Sequence, residues 1–351
     1  MTEIDNPSLI EHLTKIKDPR IDRTKEHLLT DILTIAVCAT ICGADGWTEM
    51  QEFGEAKEEW FGIFLELPNG IPSHDTFRRV FMLLRPNEFQ QVFLDWVKTI
   101  AKQIEAELVS IDGKHLRGSR TGAERKDGKE GLRLVSAWAS ENGLILGPVK
   151  TREKSNEITA IPELLRVLEL KGCIVTIDAM GCQTETAAQI IAQKADYVLS
   201  LKGNQGTLHK DIEDYFYWAE KHGFKEIEYD RAKTLEKGHG RIEERCCWVT
   251  EDVDWLLQKQ KWVGLKSIVM VESRREISGK EASIERRYFI SSLAANAKEI
   301  LRAVRGHWGI ENSLHWVLDV AFREDHCQIK DATAAENMAI LRHFVLNLLK
   351  Q

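Results

Sequence analysis

Two short apolar runs, rich in β-branched residues, each end in an aspartate: Leu108-Val109-Ser110-Ile111-Asp112 and Ile174-Val175-Thr176-Ile177-Asp178. Runs of this length and composition read as buried strands. Each carboxylate then sits at the open end of its strand, the edge where sites form in open α/β sheets. A third acid, Glu311, lies much further on, in the helical stretch His307-Trp308-Gly309-Ile310-Glu311-Asn312. Two strand-end acids with a third from a helix could hold the hard divalent ions of phosphodiester chemistry.

The residues around the first two acids order the rest. Leu108–Asp112 is a predicted strand. Arg133–Ala139 and Leu144–Lys150 are two more, joined by Glu141-Asn142-Gly143. Asn-Gly between apolar runs is a strong hairpin signal. A helix over Asn156–Leu170, a strand over Cys173–Asp178, a helix over Thr184–Lys194 and a strand over Tyr197–Leu201 complete the series. The order is β-β-β-α-β-α-β. Tight connections make the first three strands antiparallel neighbours, and right-handed crossovers make the later ones parallel. The first and fourth strands can then lie side by side, with Asp112 and Asp178 at one end. This α/β mixed sheet has the topology of an RNase H-like core.

The flanking segments differ in character. Residues 1–105 read as a helical N-terminal domain, with helix patterns over Lys25–Cys42, Thr48–Leu65, Thr76–Leu84 and Glu88–Ile104. Trp60, Phe61 and Phe64 are its candidate core, Pro68-Asn69-Gly70 a break, and Ser73 with Asp75 an N-cap region. Such a region could bind DNA through a helix-turn-helix or be simple helical packing. Residues 106–203 hold the first part of the catalytic core. Residues 204–292 read as an insertion, mostly β in its later part, with strand-like runs over Cys246–Val249, Lys266–Glu272 and Arg286–Ser292. Residues 293–351 are the C-terminal helices of the core, about Ala297–Arg323 and Ala332–Lys350, carrying the third acid.

Composition narrows the class. At 43 % hydrophobic and 29 % charged residues, the 351-residue chain reads as soluble and globular. Its longest apolar stretch, Ile32–Ala44, has thirteen residues, too short for a membrane span. Glu3 and Asp5 near the start argue against a signal peptide. The seven cysteines form no C-x-x-C pair, and Cys38 and Cys42 read as buried helix thiols, consistent with a reducing cytoplasm. A net charge of −7 excludes a uniformly basic surface. It leaves room for local phosphate-binding patches, such as Lys114, Arg117 and Arg120, Arg274 and Arg275, or Arg286 and Arg287.

Several motifs admit two readings. Lys114, two residues after the first acid, and Lys202, after the last core strand, could reach phosphates or be solvated. Arg241, in Gly238-His239-Gly240-Arg241, could meet backbone phosphate or a minor groove, or be an ordinary loop arginine. Asn204 and Gln205 could bond bases or cap a turn. His307, Glu311, His315 and Asp319 recur every four residues and so lie near one helical face. That spacing admits a zinc reading of the two histidines, or rings that pack beside Trp308 and Trp316.

Taken together, Ser110-Ile111-Asp112-Gly113-Lys114, Thr176-Ile177-Asp178-Ala179-Met180-Gly181-Cys182-Gln183, Leu201-Lys202-Gly203-Asn204-Gln205, His239-Gly240-Arg241-Ile242-Glu243 and His307-Trp308-Gly309-Ile310-Glu311-Asn312 resemble the motif set of bacterial insertion-sequence transposases with a DDE active site, closest to the H-repeat-associated proteins. The resemblance spans nearly the whole chain. It implies an enzyme that cuts and joins DNA strands with two divalent ions, magnesium with manganese as a substitute. Asp112, Asp178 and Glu311 would be both the catalytic acids and the metal ligands. It implies DNA contacts from Lys114, Lys202, Arg241, Arg305, His307 and Asn312. Its partners would be double-stranded DNA, with terminal inverted repeats and target DNA, but no membrane, and a homodimer by analogy. The place of action would be the bacterial cytoplasm, at the nucleoid when bound to DNA. The chain departs from the Tyr, Arg, Glu, Lys spacing of many relatives: Val304, His307 and Leu318 occupy the Tyr, Arg and Lys positions. Two rival readings share these residues, a domesticated DNA-binding relative and a metal-dependent host nuclease.

Overall fold

The computed structural model describes residues 8–101, 107–116, 133–150, 157–238, 240–277 and 279–351. Along the chain come α1 (Leu9–Leu13), α2 (Leu29–Ile41), α3 (Trp47–Ala56), α4 (Glu58–Phe61), α5 (His74–Leu83) and α6 (Pro86–Ile100). Then follow β1 (Leu108–His115), β2 (Arg133–Ala139), β3 (Leu144–Lys150), α7 (Glu157–Val167), β4 (Ile174–Ile177), α8 (Thr184–Ala192) and β5 (Asp196–Leu201). Helix α9 (Gly206–Lys221) leads into β6 (Asp230–Gly238), β7 (Arg241–Thr250), β8 (Ser267–Ile277) and β9 (Ser283–Ser291). The last elements are α10 (Ala297–Gly306), α11 (Trp308–Ile310), a π-helical turn Glu311–His315, α12 (Trp316–Val320) and α13 (Ala332–Lys350). The architecture is mixed α/β with a large mixed sheet. Among the described residues, no helix is long and apolar enough to cross a membrane.

The chain divides into two compact units. The first gathers the described residues of Met1–Gln103, Gly113–Glu153 and Glu311–Gln351. Its centre is α13, buried almost continuously from Ala334 to Asn347, with polar side chains among the buried ones. Phe344 of α13 meets the rings of Phe89, Phe93 and Trp96 on α6 at 5.4, 4.9 and 5.5 Å. Two buried amides on α13 complete backbone groups that would otherwise lie orphaned. Asn337 Nδ2 donates to the carbonyls of Phe81 and Leu84 at the end of α5. The β2–β3 hairpin shifts register at Ala137/Trp138, and there Asn347 bonds both the N–H and the C=O of Ile145. The hairpin has the predicted bounds, with Gly143 at φ 67° in its turn.

Some N-terminal expectations need correction. Phe61 is fully buried, but Trp60 is 47 % and Phe64 43 % exposed. Helix α4 is a single turn, and adjacent residues on a helix point about 100° apart, so burying Phe61 turns Trp60 outward. Helix α6 starts at Pro86, two residues before the expected Glu88, with the proline in its first turn, where its missing N–H costs nothing. Cys38 is half-buried and Cys42, the C-cap of α2, is exposed, so neither is the core thiol expected.

The second unit holds the described residues of Ile104–Asp112 and Lys154–Ile310. Its strands run in the order β1-β4-β5-β9-β8-β7-β6. The β1–β4 and β4–β5 pairs are parallel, and all pairs from β5–β9 onward are antiparallel. The insertion is thus a continuation of the core sheet through β9. Strand β6 escapes the sequence pattern because it is a polar edge, Asp-Arg-Ala-Lys-Thr-Leu-Glu-Lys-Gly, exposed along most of its length. Charged edges of this kind deter pairing with another chain. The predicted turn at Gly238–Arg241 closes the β6–β7 hairpin, with Gly238 opposite Arg241 and Gly240 at φ 72°. His239, Arg117 and Arg120 lie outside the described residues.

The long helix expected over Ala297–Arg323 is broken. It appears as α10, α11, the π-helical turn and α12. The π turn begins at Glu311 and ends at His315, so the four-residue spacing of His307, Glu311, His315 and Asp319 does not trace one continuous face.

Candidate active site

In the second unit, β1 and β4 pair in the register Leu108↔Ile174, Val109↔Val175, Ser110↔Thr176, Ile111↔Ile177. The next residue on each chain is Asp112 and Asp178, both half-buried. Adjacent strands lie about 4.8 Å apart, so the register puts the two aspartates side by side at one sheet edge. They differ in their local setting. Strand β4 stops at Ile177, and Asp178 Oδ1 accepts the N–H groups of Met180 and Gly181, at 3.1 and 3.2 Å. Strand β1 does not end at its aspartate, as expected from the sequence, but runs on to His115.

The loop after Asp178 is braced from the next strand's exit. Asn204 Nδ2 donates to the Ala179 carbonyl, and Gln205 Nε2 to the Cys182 carbonyl at 2.9 Å. These amides hold the backbone that holds Asp178. The turn-bracing reading of Asn204 and Gln205 is therefore the one with partners in the structure. Gly181 is tightly enclosed: a Cβ there would lie 2.3 Å from Ile177 Cγ2 and 2.5 Å from Ile161 Cδ1.

Behind the two aspartates runs a polar relay that the sequence reading overlooked. Ser110 and Thr176 are cross-strand partners, each two residues before its aspartate, and each buried. Thr176 Oγ1 donates to Ser110 Oγ at 3.1 Å, and Ser110 Oγ to the Gly306 carbonyl at 3.4 Å. Thr176 has spent its proton, so the 3.0 Å contact with His307 must run from Nδ1–H of the ring to Thr176 Oγ1. This assigns the tautomer and turns Nε2 into the ring's acceptor. Burial lowers the pKa of His307, and the nearby Asp178 opposes part of that shift. The signal was visible: a lone hydroxyl at the same place in two otherwise apolar strands.

The other predicted residues distribute unevenly. Glu311 and Asn312 are exposed and open the π turn in the first unit. His315 lies in the first unit and His307 in the second. Among the described residues, no group of three or more His, Cys, Asp or Glu side chains is placed to hold a metal ion. The two strand-end carboxylates themselves are hard oxygen donors, the chemistry that magnesium prefers. Lys202 is exposed at the exit of β5. Arg241 is 42 % exposed and pairs with Glu243 at 3.0 Å. Arg305 on α10 is ion-paired with Glu236 on β6. Lys114 is buried, at 8 % exposure, contrary to a role on solvent-facing phosphate. Val304 packs against the core of the second unit, and Leu318 is 1 % exposed.

The model described as Transposase DDE domain matches residues 104–348, and that described as DDE_Tnp_1-associated matches residues 10–97. The chain therefore belongs to the DDE transposases, enzymes that cleave and join DNA. Its place among them is with the H-repeat-associated proteins of insertion sequences. The candidate transposase YncI of Escherichia coli O157:H7 is 42 % identical over 98 % of this chain and 87 % of its own length. The H repeat-associated candidate transposase YhhI of Escherichia coli K12 is 40 % identical over 97 % of this chain and 90 % of its own. An uncharacterized protein of Xanthobacter autotrophicus, from the dhlA 3′ region, is 46 % identical over 80 % of this chain and 93 % of its own. A solved piggyBac transposase chain, from a synaptic complex with hairpin DNA, aligns at a TM-score of 0.43 and 11 % identity, over 97 % of this chain and 72 % of that one. That likeness is too loose to carry an argument.

Proposed function

We propose that this chain cuts double-stranded DNA at the terminal inverted repeats of its element and joins the 3′ ends to target DNA, on an RNase H-like core. Asp112, Asp178 and Glu311 are the three carboxylates of that reaction and the ligands of its divalent ions, magnesium or manganese. The observation that carries the reading is the β1–β4 register, which makes Asp112 and Asp178 successors of the same cross-strand pair, Ile111↔Ile177. When bound, the ions supply activation of the attacking oxygen and charge stabilisation of the leaving one. The chain's own residues do the positioning. Met180 and Gly181 N–H groups fix one oxygen of Asp178, which leaves the other for a cation. Asn204 and Gln205 keep that loop in place. The Thr176–Ser110 relay stiffens the two strand ends from behind.

Residues 1–105 would add DNA contacts, and exposed Lys202, Arg241 and Asn312 are the basic and polar groups best placed to meet DNA. Two ends must be held together, so the working form is a homodimer. It acts in the bacterial cytoplasm, at the nucleoid.

The test is strand cleavage and joining on labelled DNA carrying the element ends, with magnesium and then manganese. Asp112→Asn and Asp178→Asn should each lower cleavage by about 10³-fold, or ~4 kcal/mol of barrier, while DNA binding persists. Metal-dependent cleavage surviving in either variant overturns the reading. Cleavage without transfer of the 3′ end into a second duplex points instead to a host nuclease, and binding without any product to a domesticated DNA-binding protein.

A further inference from the structure

Lys114 was the natural candidate for a phosphate contact, two residues past the first acid, but its surroundings assign it other work. Its ammonium lies 2.7 Å from Glu324 Oε2, 2.7 Å from Asp319 Oδ1 and 3.5 Å from the His315 carbonyl. A lysine has three N–H donors and no more. Glu324 and the His315 carbonyl accept hydrogen bonds from the ammonium, and Asp319 adds an ion pair, so its close partners are groups of the protein itself. We propose that Lys114 is a positioning residue that ties the Glu311-bearing segment to strand β1, and that it does not touch DNA. The proposal rests on the reading of Glu311 as the third acid.

The three partners are placed to do this. His315 is the last residue of the π turn that Glu311 opens, and Asp319 lies on α12, which follows directly. Glu324 comes after the segment, at 1 % exposure. The chain reaches that burial through Arg323 at φ 46°, a left-handed conformation that costs a non-glycine residue energy. The strain places Glu324 between Lys114 and α13, where Arg342, itself 2 % exposed, lies 3.9 Å from the carboxylate. Burial alone would raise the Glu324 carboxyl, but Lys114, Arg342 and His343 together hold it below the usual carboxylate range. The hub carries two cations, Lys114 and Arg342, against two carboxylates, Asp319 and Glu324. It is balanced only when complete, and removing one member leaves a buried charge uncompensated. All of these residues belong to the first unit, as does Glu311.

The experiment compares the full-length wild type with Lys114→Met in three readouts. The first is amide hydrogen exchange without metal: exchange over 311–320 should rise by about tenfold or more, while the amides of β4 and β5 stay as they were. The second is binding to element-end DNA in chelator across a salt series: affinity and salt slope should both be unchanged. A slope reduced by about 0.9 would mark Lys114 as a phosphate contact and overturn the proposal. The third is cleavage in wild-type and Glu311→Gln backgrounds. Lys114→Met should cost about 10–100-fold in the first background, as supporting partners of a metal site do, and almost nothing in the second. An equal loss in both backgrounds overturns a role through Glu311. Should Lys114→Met fail to fold, Asp319→Asn removes a single leg of the hub, and the same local rise in exchange is expected; its absence refutes the tether. Should Glu311→Gln cleave like wild type, the assignment of the third acid fails, and the exchange readout still decides whether Lys114 holds the segment.

Discussion

Gly306 ends α10 with its backbone pressed against β1, and the substitution Gly306→Ala tests how tightly that contact is set. A Cβ built there lies 2.0 Å from Leu108 Cδ2 and 3.5 Å from Leu108 Cγ. Carbon atoms rest about 3.5–4.0 Å apart, so only the Cδ2 contact is impossible, short by more than about 1.5 Å. Leu108 cannot step aside freely. It is 1 % exposed and packed in one cluster with Ile300, Leu301 and Ala303 of α10 and with Ile174 of β4. Overpacking of this kind costs about 1–3 kcal/mol, and alanine's better helix propensity returns up to about 1. A net loss of about 1–2 kcal/mol is expected in urea unfolding. Cleavage should suffer beyond that, because Gly306 also accepts the Ser110 hydroxyl and precedes His307, the end of the relay behind the aspartates. Leu108→Val removes the offending atom, and alone should cost about 1 kcal/mol. The double variant should then be no less stable than Leu108→Val by itself, within about 0.5 kcal/mol. Stabilities that simply add, or a Gly306→Ala chain as stable and active as wild type, would refute the claim that this contact sets the spacing of α10 on β1.

Two further expectations concern charge. Burial pushes His343 down to about 4 from its ordinary 6.5. Between those values the unfolded chain binds a proton that the folded chain refuses, so stability is full above about 6.5 and is lost as pH falls toward about 4. The loss from pH 7 to pH 5 should be on the order of 2 kcal/mol, and Glu324, whose carboxyl is held low, adds to it at lower pH still. Equal urea midpoints at pH 7 and pH 5 would contradict this. At the DNA surface, exposed Lys202 and ion-paired Arg305 should behave oppositely. Lys202→Ala should weaken end binding and reduce the salt slope by about 0.9, whereas Arg305→Ala should leave the slope alone, and the reverse pattern in the same salt series would exchange their roles.

What the sequence made legible was local and periodic. The β2–β3 hairpin has the bounds its alternation and Asn-Gly turn imply, because both signals sit within a few residues of what they specify. The parallel pairing of β1 with β4 followed from the order of elements and the handedness of crossovers. Strand β6 was illegible because an edge strand buries almost nothing, and a strand that buries nothing has no apolar pattern. The hub around Lys114 was illegible for a different reason. The lysine's partner Glu324 is 210 residues away, and nothing near Lys114 says that a carboxylate will be buried beside it. Residue type and spacing suggest a cation near phosphate; only the fold counts its acceptors.

The stretch from His307 to Asp319 shows where periodic reasoning gives way. Four polar residues at intervals of four would share a face on one unbroken α-helix. A π turn carries an extra residue for the same rotation, so everything beyond it is displaced in phase. With the turn placed at Glu311–His315, His307 is free to bond Thr176 in the second unit, while His315 and Asp319 face Lys114 in the first. The irregular turn opens with the exposed Glu311 and closes at His315, whose carbonyl meets Lys114. Local irregularities of this kind persist at sites because the surrounding structure over-determines them, here through a relay before the turn and an ion-pair hub after it.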